Sequence, residues 1–193
     1  MTSMREIRAA YDDEGLYVYQ AYRPEIGRYA AAHGRFGTGF KLERMTWIKP
    51  SFGWMLYRCG YGFKPGQEVV LRIKITHAGW LEMLSGAVLS HYDRNVHDEK
   101  ITFEQALKVS ECRVQWDPDR TLGLGRMERR AIQVGLRGSL VTRYTRDWIV
   151  TIEDVTGLAH AVKDALDARS ELPPVPDERV YDVPSVIRRR LGM

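Results

Sequence analysis

The order of apolar and polar residues in the first sixty positions predicts a strand followed by a helix, twice in succession. Residues 16–22 are β-branched and aromatic, which predicts a strand. Pro24 is suited to the first turn of a helix, and Gly34 is suited to end it, so residues 24–33 are predicted to be helical. The same order of strand, turn and helix recurs in residues 45–60.

Further along the chain, residues 68–76 alternate between apolar and polar side chains, which predicts a half-buried strand with a basic exposed face. The remaining predicted elements are a helical segment at 77–89, a polar loop at 90–100, a capping box at 102–105 opening a helix to 110, strands at 112–116, 130–135 and 148–152, a turn at 117–119, and helices at 139–146 and 156–169. Prolines then interrupt regular structure. We therefore expect one α+β domain over residues 1–170 and a Pro/Arg-rich tail, 171–193, that packs on its surface.

Composition and charge restrict the class of protein. The chain has 193 residues, of which 44% are hydrophobic and 28% charged, as in ordinary globular domains. Two cysteines, no signal-peptide pattern and no long apolar run predict a cytoplasmic protein that does not enter the membrane. The net charge of +4 permits a polyanionic partner.

The sequence lacks the short motifs of several enzyme classes. The five histidines show no metal-ligand spacing, so no metal site is expected, and there is no nucleophile elbow, phosphate-binding Gly-rich loop or paired-cysteine motif. Metalloenzyme, triad-hydrolase and kinase-type activities are therefore not indicated.

Five segments, in order, resemble an uncharacterised family, domain of unknown function 4291. The segments are YQAY (19–22), RMTWIKPSFGWMLYR (44–58), VQWDP (114–118), RAIQVGLRG (130–138) and WIVTIEDVT (148–156). This resemblance implies a family and no particular activity.

The order of elements is also similar, more distantly, to the ADP-ribosyltransferase fold, a split β-sheet core with flanking helices that holds NAD in a cleft. A PUA-like β-barrel with helices is the alternative fold. The ADP-ribosyltransferase resemblance implies catalytic positions at Arg23, Ser51 and Gln133. The family's Ser-Thr-Ser run is replaced here by Lys49-Pro50-Ser51, and its catalytic glutamate by Gln133. Because glutamine cannot accept a proton, Gln133 can orient a group but cannot act as a general base.

Under this hypothesis the protein binds NAD or a related nucleotide and modifies a nucleic acid or a small acceptor. Residues expected to bind the cofactor are Gln20, Tyr22, Lys49, Trp54 and Tyr57. Each has a structural alternative: Ser51 also fits a helix cap, Gln133 also fits a pair with a polar neighbour on its strand, and the aromatic residues also fit the core.

The alternative function is a non-catalytic RNA- or DNA-binding module. Arginines are concentrated in residues 126–146, and arginine suits phosphate recognition. The residues expected to contact phosphates are Arg72, Lys74, Arg130 and Arg137. Solvated charge on exposed faces would explain the same pattern.

Overall fold

The computed structural model of the protein describes residues 5–37 and 39–193, and these residues form an α+β fold. The strands are β1 (Arg8–Ala9), β2 (Gly15–Tyr22), β3 (Thr46–Ile48), β4 (Val69–Thr76), β5 (Val88–Leu89), β6 (Cys112–Arg120), β7 (Arg126–Leu136), β8 (Ile149–Asp154) and β9 (Arg179–Val180). The helices are α1 (Pro24–His33), α2 (Phe52–Cys59), α3 (His77–Ser85), α4 (Lys100–Val109), α5 (Ser139–Arg143), α6 (Thr156–Ala168) and α7 (Ser185–Leu191). A π-helical turn, Tyr144–Trp148, continues α5 into β8.

Two open sheets carry most of the strands. The first has the order β2-β4-β8 and is antiparallel, and the second has the order β3-β7-β6-β5, in which only β5 and β6 are parallel. The strands of the described residues do not close into a barrel.

The hydrophobic core lies between these sheets and the helices packed on them. Every other residue of β4 is inward and fully buried, as the alternation predicts, and Leu71, Ile73 and Ile75 join Trp80 of α3 in one cluster. Truncating Leu71 to alanine would cost about 2–5 kcal/mol, because the surrounding side chains could not fill the cavity completely. A second cluster, around Phe52 and Leu56 of α2, packs against α6.

Three local predictions are wrong. The helical segment predicted at 77–89 ends at Ser85, and Val88–Leu89 forms β5 instead. Residues 117–119 do not turn, because a β-bulge between Pro118 and Arg120 accommodates the proline and lets β6 continue to Arg120. The capping box does not open α4, because the helix already begins at Lys100 and the Thr102 hydroxyl donates to the Glu99 carbonyl oxygen inside the first turn.

The C-terminal segment, 171–193, is more ordered than an extended surface tail. Strand β9 pairs with β1, and α7 follows it. The buried side chains of this segment that join the main core are Tyr181, Val183, Ile187 and Leu191. Proline interrupts regular structure only as far as Pro184, which directly precedes α7.

Candidate functional site

A large cavity lies where the two sheets separate. Its volume is about 730 Å³, within the range of small-molecule sites. It is lined by the end of β2, the start of α1, the segment before β3, α2, the loop at 65–67, and strands β6 and β7. We call this cavity the cleft.

Where the two sheets separate, the Gln20 side chain replaces backbone hydrogen bonds between β2 and the β3 segment. The sheets are joined by one backbone bridge, in which the Tyr19 N–H donates to the Lys49 carbonyl oxygen at 2.7 Å. One residue further along β2, the Gln20 side chain is inserted between the strands, and its Nε2 donates to the Thr46 hydroxyl at 2.7 Å and to the Trp47 carbonyl oxygen at 3.2 Å. The buried Gln20 thus connects β2 to β3 at the point where their backbones are no longer paired.

Two tyrosines complete the contacts of Gln20. Its Oε1 accepts a hydrogen bond from the Tyr144 hydroxyl at 2.8 Å, and its Nε2 also lies 2.8 Å from the Tyr22 hydroxyl oxygen. Tyr144 is fully buried, and burial raises its pKa well above the usual range, so it remains a neutral donor. Gln20 and Tyr22, both expected to bind a cofactor, therefore line the cleft as parts of a fixed network.

Lys49 is a buried amine in the wall of the cleft. Among the described residues, its Nζ has one hydrogen-bond acceptor, the Trp47 carbonyl oxygen at 3.1 Å, and no carboxylate within ion-pair distance. The Trp54 ring centroid lies 5.5 Å from Nζ. Burial, together with the smaller effect of the Arg58 charge, lowers the pKa of Lys49 to about 7.

The charges around the cleft are of one sign. Five cationic side chains line it, and no aspartate or glutamate is among the described lining residues. The five are Arg23, Lys41, Arg44, Lys49 and Arg58. Within the described part of the chain, the side chain of Arg23 has one ion-pair contact, an exposed one of 3.6 Å with Glu25, and Arg58 donates to Gln67 at 3.3 Å. The cleft therefore presents a positive potential to any ligand that enters.

Two glutamines face each other on the inner wall. Gln115 of β6 and Gln133 of β7 are directly opposite in the antiparallel register, and both line the cleft. Their Nε2 groups donate to the same carboxylate, Asp117, at 2.9 Å and 2.5 Å respectively. Asp117 therefore fixes the orientation of both amides. Gln133 is therefore paired with a neighbouring polar group, as its structural alternative predicts, and it also lines the cleft.

Gly135, two residues after Gln133 on β7, lets an aromatic side chain pack closely against the strand. A Cβ on Gly135 would lie 2.9 Å from the Trp47 ring, so only glycine allows the indole to lie flat against β7. Trp47 lines the cleft next to Lys49. The side chain that packs closely against Gly135 is therefore that of Trp47.

Ser51 precedes α2 and lies outside the cleft lining. It caps the helix by accepting from the Trp54 N–H at 3.2 Å, and its hydroxyl donates to the buried Asp119 carboxylate at 2.8 Å. Arg129 donates to the other oxygen of Asp119 at 2.8 Å. Ser51 is not among the residues that line the cleft.

A second buried carboxylate lies at the same end of α2. Glu178 accepts a hydrogen bond from the Phe52 N–H at 2.5 Å. Burial, together with the smaller effect of the Asp119 charge, raises the pKa of Glu178 to about 8. Lys49 and Glu178 thus flank the start of α2 with pKa values displaced in opposite directions.

The two aromatic residues predicted on α2 are near the cleft without lining it. Trp54 is 6% exposed and packs beside Lys49. Tyr57 is 40% exposed, and the Arg120 guanidinium stacks on its ring at 3.9 Å. The structure therefore brings together Gln20, Tyr22, Arg23, Lys49 and Gln133 and leaves Ser51, Trp54 and Tyr57 outside the cleft wall.

Several cleft residues had no signal in the sequence. Lys41 and Arg44 lie in a segment without a predicted element, and Arg58 is one of several basic residues on predicted helices. Gln115 was predicted to lie in a strand and Asp117 in the turn that follows it. The alternation Gln115, Asp117 along one strand face is the signal that could have found them.

The residues expected to bind nucleic acid have partners within the protein. Arg72 pairs with Glu153 at 2.6 Å, and the Lys74 Nζ lies 2.8 Å from Asp12 and 2.6 Å from Glu14. The Arg137 side chain donates to the carbonyl oxygens of residues 108 and 110 at the end of α4. Arg130, too, has an interaction within the chain.

The fold and the cleft define the protein as an α+β protein with a cation-lined cleft between two sheets. The chain belongs to the family described as Domain of unknown function (DUF4291), whose family model matches residues 6–181. A search of the curated proteins gives no match. Within the described residues, no helix combines the length and apolarity needed to cross a membrane, and no cluster of three or more His, Cys, Asp or Glu could hold a metal ion.

Proposed function

We propose that the cleft binds a phosphate-bearing nucleotide, with NAD as the leading ligand, and that the protein is an ADP-ribosyltransferase-like enzyme. The observation that carries the proposal is the set of five cations around a cleft whose described lining has no carboxylate. Arginine guanidinium groups bind phosphate oxygens in a bidentate way, and such charge-assisted hydrogen bonds are the strong ones.

The inner wall supplies groups suited to the rest of the nucleotide. The Trp47 indole offers a flat surface for a base or a nicotinamide ring. Gln133, held by Asp117, offers an oriented amide for a ribose hydroxyl or an incoming nucleophile. Cleavage of the nicotinamide-ribose bond passes through a cationic state of the ribose, so positioning and electrostatic contacts would supply the catalysis. The acceptor would be a nucleic acid or a small molecule.

Ser51 is left out of this proposal as a catalytic group, because its hydroxyl is bound to Asp119 outside the cleft lining. Arg23 keeps its role as a phosphate contact at the rim, and Lys49 keeps its role inside the cleft. The nucleic-acid hypothesis gains no specific support, since Arg72, Lys74 and Arg137 are engaged within the protein.

Thermal unfolding with NAD, ATP, short RNA and short DNA, at low and moderate salt, tests the proposal. We expect NAD to raise Tm, and a ligand at 100 times its Kd adds about 2.7 kcal/mol, or roughly 5–10 °C for a domain of this size. The double variant Arg23→Ala/Arg44→Gln should abolish that shift, whereas the matched control Arg72→Gln should keep it. A shift with oligonucleotides alone that fades with salt would replace this proposal by the nucleic-acid function.

A further inference from the structure

The wall of the cleft places a nucleophilic amine where a bound anionic ligand would lie. Lys49 lines the cleft, and its Nζ is held in one position by the Trp47 carbonyl oxygen at 3.1 Å. The Trp54 ring at 5.5 Å closes another side. Lysine side chains elsewhere in the described chain, such as Lys74 and Lys163, are instead within 2.6 Å of a carboxylate oxygen.

An amine in such a place differs chemically from a surface ammonium. Among the described residues, no carboxylate forms an ion pair with Lys49. The Arg58 charge disfavours a second positive charge, and the weaker effect of the Asp117 charge opposes it. Burial and this repulsion leave a substantial fraction of the amine neutral near pH 7, because its pKa is lowered to about 7. A neutral amine has a free lone pair, which is the requirement for attack on a carbonyl.

The other cations of the cleft select the charge of the compound that reaches this amine. Arg23, Arg44 and Arg58 all line the same cavity and keep their charge at every relevant pH. A phosphate group bound by these arginines would hold the rest of the ligand at high effective concentration beside Nζ.

We propose that Lys49 condenses reversibly with the aldehyde of a phosphate-bearing sugar or sugar nucleotide bound in the cleft, such as ribose 5-phosphate or ADP-ribose. The lone pair of Nζ attacks the aldehyde carbon, and the carbonyl oxygen leaves as water with both amine hydrogens. One C=N bond forms, one C=O bond breaks, and no oxidant or reductant is needed. The inference rests on the anion-binding cleft of the proposed function and adds the ligand class and the reacting residue.

Reductive trapping tests the inference on the full chain. The protein is incubated at pH 7 with ribose 5-phosphate or with ribose, cyanoborohydride converts any imine into a stable secondary amine, and peptide mass mapping locates the label. Lys108, exposed on α4, serves as the internal reference. We expect ribose 5-phosphate to label Lys49 at least tenfold more than Lys108, ribose to label both to a similar extent, and an excess of NAD or inorganic phosphate to protect Lys49.

Variants separate the amine from the phosphate contacts. Lys49→Arg retains a nitrogen donor at this position and removes the nucleophile, so labelling at this position should be lost. Arg44→Gln keeps the nucleophile and should weaken labelling by ribose 5-phosphate about tenfold. Circular dichroism and Tm establish that each variant is folded. The protection of Lys49 by NAD or inorganic phosphate is measured on the unmodified protein and does not depend on the variants.

The outcomes distinguish this inference from the proposed function. Labelling of Lys49 no stronger than that of Lys108 overturns the inference, and if NAD still raises Tm, the nucleotide cleft stands without it. Equal labelling of Lys49 by ribose and ribose 5-phosphate overturns the role of phosphate. Phosphate-dependent labelling of Lys49 without any NAD shift upholds the inference and makes NAD the wrong ligand. Failure of both measurements removes both proposals.

Discussion

Two basic surfaces flank the first sheet, and they differ in what surrounds their charges. On the polar face of β4, the Lys74 Nζ lies within 2.8 Å of both Asp12 and Glu14, and Arg72 pairs with Glu153 at 2.6 Å. In the cleft, Lys49 has only a carbonyl oxygen as its hydrogen-bond partner among the described residues. Cations in the first surface are neutralised by the fold, whereas those in the second are available to a ligand.

The pKa values of two buried lysines, Lys49 and Lys74, are shifted in opposite directions. The carboxylates of Asp12 and Glu14 raise the pKa of Lys74, while burial lowers the pKa of Lys49 to about 7. The charge of Lys74 therefore stabilises the folded state, and the charge of Lys49 destabilises it. A group that costs stability in this way is typical of functional sites.

The largest expected effect is the stability gained by Lys49→Met. The pKa of Lys49 is about 7 in the folded protein and 10.5 when unperturbed, and each unit corresponds to about 1.36 kcal/mol. Removing the amine should therefore stabilise the protein at pH 6 by an amount on the order of 5 kcal/mol, and by little at pH 10.5. The Trp47 carbonyl oxygen keeps a donor in this variant, because Gln20 also bonds to it.

The pH dependence fixes the sign of this effect. Between pH 7 and 10.5 the unfolded state binds more protons at Lys49 than the folded state, so its contribution to stability rises with pH across that window. Glu178, whose pKa is raised from 4.5 to about 8, acts oppositely and lowers stability from pH 4.5 to 8. Urea unfolding from pH 5 to 10.5 of the unmodified protein, Lys49→Met and Glu178→Gln separates the two. A Lys49→Met profile parallel to that of the unmodified protein would show that Lys49 is not a buried amine of lowered pKa.

Binding measurements sharpen the comparison further. Replacing Arg44 by glutamine removes one phosphate contact, and a charge-assisted hydrogen bond contributes about 1.5–3 kcal/mol, so Kd for NAD should rise roughly tenfold to a hundredfold. Isothermal titration calorimetry at fixed salt measures this change. Arg72→Gln, which alters the other basic surface, is the matched control and should bind as the unmodified protein does. Equal losses in the two variants would mean that overall charge, and not the cleft, binds the ligand.

Much of the fold was predictable from local patterns. The strand and helix pairs β2 with α1 and β3 with α2 begin and end within one or two residues of their predicted positions. Alternation in β4 placed its apolar face correctly. These elements carry Gln20, Tyr22, Arg23 and Lys49, and so these residues could be expected to lie near one another.

Contacts between distant segments were not predictable. Arg72 and Glu153 are 81 positions apart, and nothing local indicates that they pair. The bulge at Pro118 likewise depends on the neighbouring strand β7, so Asp117 was assigned to a turn instead of to β6, where it holds the two glutamines of the cleft wall. A sequence therefore gives the number of cations and their elements, and the tertiary structure decides which of them the fold neutralises.

The smallest expected effect is the loss of stability in Arg72→Gln. Both partners of this ion pair are partly exposed, with side-chain exposures of 28% for Arg72 and 43% for Glu153, and solvent screens such pairs. The Arg72 guanidinium also lies over Tyr17, whose ring centroid is 5.1 Å from the guanidinium carbon. We therefore expect a loss of at most about 1 kcal/mol, which is a decrease of roughly 2–4 °C in Tm for a domain of this size. If Arg72→Gln instead left Tm unchanged and weakened oligonucleotide binding, the β4 face would be a binding surface and the contrast with the cleft would fail.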